Sequence, residues 1–257
     1  VAVIAALGAL ATAHVPAHAN PGPRPAATDL PSWTIIYYGA AGNNLEAAML
    51  NDVKEMGIVD FGGEVNLYGF LDREPEDNST PDGELVDGAA AGLGEWDGGK
   101  AFKVKNGKLI ELADLGRVDS GDPDTLAWFV SQILTIAPAD RTALILSDHG
   151  LGSLAFGTDD DENSDMTIVE IATALDQAIP GSEKLDLIAF DACLMATAEV
   201  IYWLGRFADR LVLSEDLATL QRNLIRSHSV GVGAPLAPPV LRLMLALKAA
   251  SLGRGYS

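Results

Sequence analysis

The chain has 257 residues, 36 of them acidic and 17 basic, for a formal net charge of −19. Such a surplus of negative charge excludes a nucleic-acid binder, which needs basic surface to displace phosphate counterions. A single cysteine excludes an internal disulfide framework and a cysteine-built zinc site, while 48% hydrophobic residues suffice for a sizeable core.

Residues 1–13 are apolar and uncharged, Pro16 follows, and Ala17-His18-Ala19 offers the small residues that signal peptidase reads. The pattern predicts a partial export signal over residues 1–19, cut after Ala19, then a Pro-rich linker over residues 20–32. No other uncharged stretch reaches the ~20 residues that span a bilayer, so no membrane partner is expected once the signal is removed.

Residues 33–38 (WTIIYY) form a continuous β-prone run, the pattern of a strand buried on both faces. Residues 39–44 turn the chain, and Asn44 is placed to cap a helix from Leu45 to about Met56, ended by Gly57. Residues 65–71 read as a second strand. Residues 72–100, rich in Asp, Glu, Gly and Pro, read as a surface excursion. Asn106-Gly107 between two β-prone runs predicts a hairpin, and Asp122-Pro123 opens a helix running to about Ile136. Residues 142–146 then read as a strand, 167–179 as a helix, 185–190 as a strand, 194–204 as a helix and 210–214 as a further strand. This alternation implies parallel pairing, hence an α/β domain of helix, sheet and helix layers around a mostly parallel sheet, with a β-hairpin excursion.

Active sites in such sheets form beyond the carboxyl ends of the strands. After Leu146 comes Ser147-Asp148-His149-Gly150, and after Phe190 comes Asp191-Ala192-Cys193-Leu194-Met195. A cysteine nucleophile needs thiolate character and a neighbouring group that passes protons, and His149 is that group if the two strands are neighbours. Cys193 is also expected at the start of helix 194–204, whose free N–H groups favour a thiolate. The backbone N–H groups of Gly150 and Cys193 form a candidate oxyanion hole.

These two blocks, with residues 33–44, resemble the clostripain family of cysteine peptidases, in the clan with the caspase-like fold. The resemblance spans about residues 33–216. It implies a Cys193–His149 dyad without an obligatory third member, with Cys193 as nucleophile and His149 protonating the leaving amine. It also implies endopeptidase action on proteins or peptides carrying Arg or Lys before the scissile bond. Asp191 then lies at the floor of the specificity pocket, where a desolvated carboxylate pairs well with a guanidinium or ammonium. Asp148 either orients His149 or caps its loop.

No cofactor is required for this chemistry, but one motif suits a calcium ion. Residues 159–165 hold five acids, and Asp159, Asp161, Asn163, Asp165 and Glu170 stand at positions 1, 3, 5, 7 and 12 of a calcium-loop pattern, with Ser164 where Gly belongs. The competing use of this segment is a solvated loop that starts the next helix. Between Gly150 and Ala192 the only basic residue is Lys184, so a single uncut chain is expected. The contrasting functional class is an exported, inactive peptidase-like protein that binds calcium or a surface.

The charge is unevenly spread. Residues 1–216 carry a net −24, whereas residues 217–257 hold Arg222, Arg226, Arg242, Lys248, Arg254 and no acid, a net +5. That change marks a boundary at which the family pattern stops. The tail is expected to be a frameshifted or truncated end, or an acquired segment. In relatives, the corresponding part helps to wall the substrate pocket.

Overall fold

The computed structural model describes residues 30–61, 63–73 and 92–215. The export signal, most of the linker and the tail lie outside the described residues. In chain order the elements are β1 (Trp33–Ala41), α1 (Glu46–Gly57), β2 (Val65–Arg73), β3 (Gly99–Val104), β4 (Leu109–Gly116), α2 (Pro123–Ile136) and β5 (Thr142–Ser147). There follow β6 (Phe156–Asp159), β7 (Ser164–Met166), α3 (Ile168–Ala178), β8 (Leu187–Asp191), α4 (Ala198–Leu204) and β9 (Leu211–Val212).

Seven strands form one sheet in the order β4-β3-β2-β1-β5-β8-β9. From β2 to β9 every pairing is parallel, and β3 and β4 add an antiparallel edge. The hairpin is therefore part of the main sheet and not an excursion from it. Asn106 (φ 53°) and Gly107 (φ 66°) supply the two left-handed residues that its tight turn requires.

All nine residues of β1 are buried, because it is the central strand and both of its faces are covered. Ile36, Tyr38 and Ala40 face a core that includes Leu126, Phe129 and Val130 of α2, Ile171 and Leu175 of α3, and Val200 and Leu204 of α4. Ile35, Tyr37 and Ala41 face the other core with Met49, Leu50, Val53 and Met56 of α1. Those four α1 residues recur at helical spacing, and burying each such side chain contributes about 1.5–3 kcal/mol. Tyr38 stacks on Phe70 with ring centroids 4.8 Å apart, and its hydroxyl donates to the Ser120 carbonyl at 2.8 Å.

The start of α1 is tied to the end of β2. Glu46 and Arg73 form a buried ion pair, Arg73 also donates to the Trp96 carbonyl at 2.7 Å, and its guanidinium lies 4.7 Å from the centroid of the Trp96 ring. Pairing with hydrogen bonds on both partners is what lets such charges stay buried. α2 begins as its sequence predicts, with the Asp122 carboxylate accepting from Asp124 N–H at 2.8 Å and Pro at the first turn.

Two expectations change. The acidic segment is not a plain loop: β6 and β7 pair as a small antiparallel ribbon turned by Asn163 at φ 52°. The helix expected to begin at Leu194 begins at Ala198 instead, capped by Thr197, whose hydroxyl accepts from Val200 N–H. Leu194 sits at φ 56°, outside helical space, so residues 193–197 form a turn.

Candidate active site

β5 and β8 are parallel neighbours with Ser147 opposite Asp191, so His149 and Cys193 each lie two residues past a matched pair. The Asp148 N–H donates to the Asp191 carbonyl at 3.3 Å, which carries the pairing one residue beyond the strands. Gly150 then meets the cysteine turn directly: a Cβ there would lie 2.5 Å from the Cys193 carbonyl oxygen, 2.8 Å from Met195 Sδ and 3.0 Å from Ala192 Cβ. Only glycine allows this approach. The neighbouring bridge to Phe156 runs through the Leu151 N–H to the Ala155 carbonyl, 2.9 Å, and not through the Gly150 amide.

Cys193 is half-buried, and Leu194 after it takes a left-handed conformation that costs a non-glycine residue about 1–2 kcal/mol. Backbone strain of this kind concentrates at functional sites. Because the helix starts five residues later than Cys193, the helix-terminus contribution expected for its thiolate does not apply.

The histidine side is held differently. Asn43, 2% exposed, donates through Nδ2 to the Ala40 carbonyl (3.2 Å), Asp148 Oδ1 (2.8 Å) and the Thr158 carbonyl (2.7 Å), while its Oδ1 accepts from Leu45 N–H at 2.9 Å. Asn44, expected to cap α1, instead places Oδ1 2.7 Å from His149 Nε2. The N-terminus of α1 has no side-chain cap. Two successive asparagines after β1 thus engage two successive residues after β5. Sequence reasoning missed both roles, although β1 lies beside β5 in the sheet and its carboxyl end opens on the same edge.

Asp148 is buried and turned to Asn43, so it anchors the loop and the imidazole is met by Asn44. Burial holds the Asp148 carboxyl well above the usual range, only partly offset by the amide of His149 and by Asn43. Partial burial lowers the His149 pKa, and the charge of Asp160 opposes that shift. At neutral pH the resting imidazole is therefore uncharged and able to accept a proton.

Asp191 ends β8, partly buried, opposite Ser147 at the end of β5. Burial pushes its pKa up to about 6, and the Ser147 hydroxyl beside it pulls the other way. Asp52 of α1 is raised by burial first and then by the charges of Asp191 and Glu55. Tyr37 Oη and Ser147 Oγ are buried here without an aligned hydrogen bond, although Ser147 is near enough to both Tyr37 and Asp191 to affect their charge. These hydroxyls and carboxyls form a polar, acidic cluster at the ends of β1, β5 and β8.

The calcium-loop residues do not come together. Asp159 is buried, with Oδ2 accepting from Ser120 N–H (3.0 Å) and Oγ–H (3.2 Å) and Oδ1 accepting from Glu162 N–H (3.1 Å). Asn163 makes the ribbon turn, Asp161 and Asp165 flank it, and Glu162 pairs with Arg117. Glu170 closes a capping box on α3, accepting from Thr167 N–H at 2.8 Å and Oγ1–H at 2.7 Å, bonds that lower its pKa. Glu170 thus serves the start of α3, while Asp159 at the other end of the motif is tied to Ser120. Among the described residues no three His, Cys, Asp or Glu side chains are arranged to hold a metal ion.

Comparison with known proteins agrees with this geometry. The model of the clostripain family matches residues 37–219. Clostripain from Hathewaya histolytica is 33% identical over 204 residues, which cover 70% of this chain and 38% of that protein. Among solved structures, a secreted C11 cysteine protease from Bacteroides thetaiotaomicron, in complex with an irreversible peptide inhibitor, superposes with a TM-score of 0.54 at 24% identity. It covers 72% of this chain and 49% of that one. An inactive zymogen C11 protease from Parabacteroides distasonis gives a TM-score of 0.54 at 23% identity, covering 75% and 51%. The chain therefore spans about two fifths of its curated relative and half of the solved ones. At its far end the aromatic amino acid lyase model matches residues 190–257. A histidine ammonia-lyase of Burkholderia mallei is 55% identical over 53 residues, 21% of this chain and 10% of that enzyme. Matching strand ends, paired histidine and cysteine loops, a caspase-like sheet and a family match over most of its length lead to one conclusion: the chain belongs to the clostripain family of cysteine peptidases.

Proposed function

We propose that this protein is an exported cysteine endopeptidase that cleaves after Arg or Lys through Cys193 and His149. The observation that supports the reading is the register of β5 and β8, from which His149 and Cys193 each follow two residues past the pair of Ser147 and the partly buried Asp191. With Nε2–H donated to Asn44, Nδ1 is the nitrogen that takes the Cys193 proton. The sulfur then attacks the substrate carbonyl carbon, and the Gly150 and Cys193 amides receive the developing oxyanion. His149 returns its proton to the leaving nitrogen as the C–N bond breaks, leaving a thioester. Water adds to the thioester, giving a proton to His149, and collapse releases the acid and restores the thiol.

Asp191 supplies the preference for a cation. Its carboxyl titrates near pH 6, so it is ionised at neutral pH and attracts a guanidinium or ammonium. Export rests on the residue pattern before Asn20 and on the secreted state of a relative. No described helix is long and apolar enough to cross a membrane. No step is assigned to calcium, because the candidate loop does not fit it.

The lyase likeness of the tail supports a segment of separate origin, since a shifted frame would not produce 55% identity to another enzyme. Reading the coding region through codon 216 tests this; a frame shift at the junction would reject it. The function itself is tested by hydrolysis of Arg- and Lys-reporter peptides by wild type beside Cys193→Ala, with and without calcium. Equal rates from the two proteins would reject the peptidase reading.

A further inference from the structure

Asn44 has two possible uses. An asparagine just before a helix ordinarily turns its side-chain oxygen onto the first free N–H groups. Here α1 has no such side-chain cap, and Asn43, one residue earlier, serves the Leu45 N–H. The Asn44 oxygen is spent on the imidazole instead, at 2.7 Å from Nε2. A cap forgone beside a short bond to the proton-carrying residue marks a position committed to that residue.

We infer that Asn44 is a positioning residue for His149, a third member of the site that fixes the imidazole as its Nε2–H tautomer and turns Nδ1 toward the nucleophile and the leaving nitrogen. The inference rests on the Cys193–His149 reading. The geometry behind it is a double clasp. Asn43 is buried and locked to Asp148, so the backbone that carries Asn44 is fixed relative to the backbone that carries His149. Asn44 is itself exposed, yet it needs to hold only the ring rotation, because the distance between the loops is already set. A neutral acceptor holds the tautomer without adding charge that would keep the imidazole protonated. The charge that acts on the ring is that of Asp160 in the β6–β7 turn, while Asp148 directs its carboxyl to Asn43.

The test uses the full chain with Asn44→Ala and Asn44→Asp, read by two measurements. The first is reporter hydrolysis across pH. Asn44→Ala is expected to lower kcat about 10- to 100-fold with KM within about twofold. Asn44→Asp restores the acceptor, so it should recover most of kcat and shift the profile upward by about one pH unit. The second measurement needs no turnover: the nitrogen chemical shifts of the His149 ring. They should report Nε2–H in wild type, mixed tautomers in Asn44→Ala, and a higher pKa in Asn44→Asp. If neither wild type nor Cys193→Ala hydrolyses the reporter, the peptidase reading falls while the tautomer measurement still decides the role of Asn44. An Asn44→Ala protein whose ring keeps the wild-type tautomer and pKa overturns the inference.

Discussion

The two loops of the site are neighbours in register, yet they are held by different means. The histidine loop is fixed from outside: Asn43 grips Asp148, Asn44 grips His149, and side chains do the positioning. The cysteine loop is fixed from within. Leu194 turns left-handed, Met195 is fully buried, and the Ala196 N–H donates to the Ser214 carbonyl at 2.9 Å, so backbone conformation presents the sulfur. On the proposed reading, a proton carrier must rotate to a defined angle, which hydrogen bonds control, and a nucleophile must project above its strand, which a sharp turn controls. The difference teaches that side-chain truncation threatens one loop and backbone substitution the other.

Cys193→Ala tests the division most sharply. Turnover should fall by about a thousandfold or more, while the urea midpoint should move little, because a half-buried thiol removes little packing when truncated. Gly150→Ala strikes the seam between the loops. Its methyl group would fall within bonding reach of the Cys193 carbonyl, so the two backbones must part, at a cost of about 1–3 kcal/mol in denaturant titration and with turnover largely lost. Asn43→Ala removes the donor to Asp148 of the histidine loop and to the Thr158 carbonyl and should destabilise by about 1–3 kcal/mol; an unchanged midpoint would show that side chains do not hold the histidine loop.

Titration offers a gentler comparison, with opposite signs on the two sides. The folded pKa of Asp191 is about 6, above its unfolded value near 3.9, so its contribution to stability is complete below about pH 4 and is lost as pH rises through about 6. The folded pKa of His149 is lowered, so its contribution is present above the unfolded value near 6.5 and is lost as pH falls through the folded value. Denaturation measured from pH 4 to 8 should therefore show Asp191→Asn gaining relative stability on the alkaline side and His149→Gln on the acid side. The smallest effect is expected from Leu194→Gly. Relief of left-handed strain and the added freedom of the unfolded chain nearly cancel, leaving a change within about 1 kcal/mol.

Much of this arrangement is legible in the sequence where one local cause dominates. The buried run at residues 33–38 could only be an interior strand, Asn106-Gly107 could hardly avoid a tight turn, and Asp122-Pro123 carries its own cap and first-turn signal. The placement of His149 and Cys193 just past neighbouring parallel strands was legible because strand alternation fixes which end of a parallel sheet the following loops open on. What escaped had two competing uses, with tertiary contacts deciding between them. Asn44 suits a helix cap and an imidazole equally well on paper; only the adjacency of β1 and β5 selects the imidazole. Glu170 fits position 12 of a calcium loop and the third residue of a helix, and the nearby Thr167 captures it. The helix expected from Leu194 fails because Leu194 is drawn out of helical space by the turn that exposes Cys193.

The asparagine clasp also has a consequence in time. Each of its two side-chain bonds joins residues 105 positions apart, and the nucleophile lies farther along still. Contacts of such sequence separation close late, after the intervening chain has been made and folded. During synthesis, Asn44 and the first strands emerge long before Cys193, and His149 has no sulfur beside it until β8 docks against β5. On the proposed peptidase reading, a growing chain would pass through its unfolded, cleavable stage with the proton carrier and the nucleophile apart. The order of residues along the polypeptide would then keep the proposed dyad unassembled until the sheet that could resist it is in place.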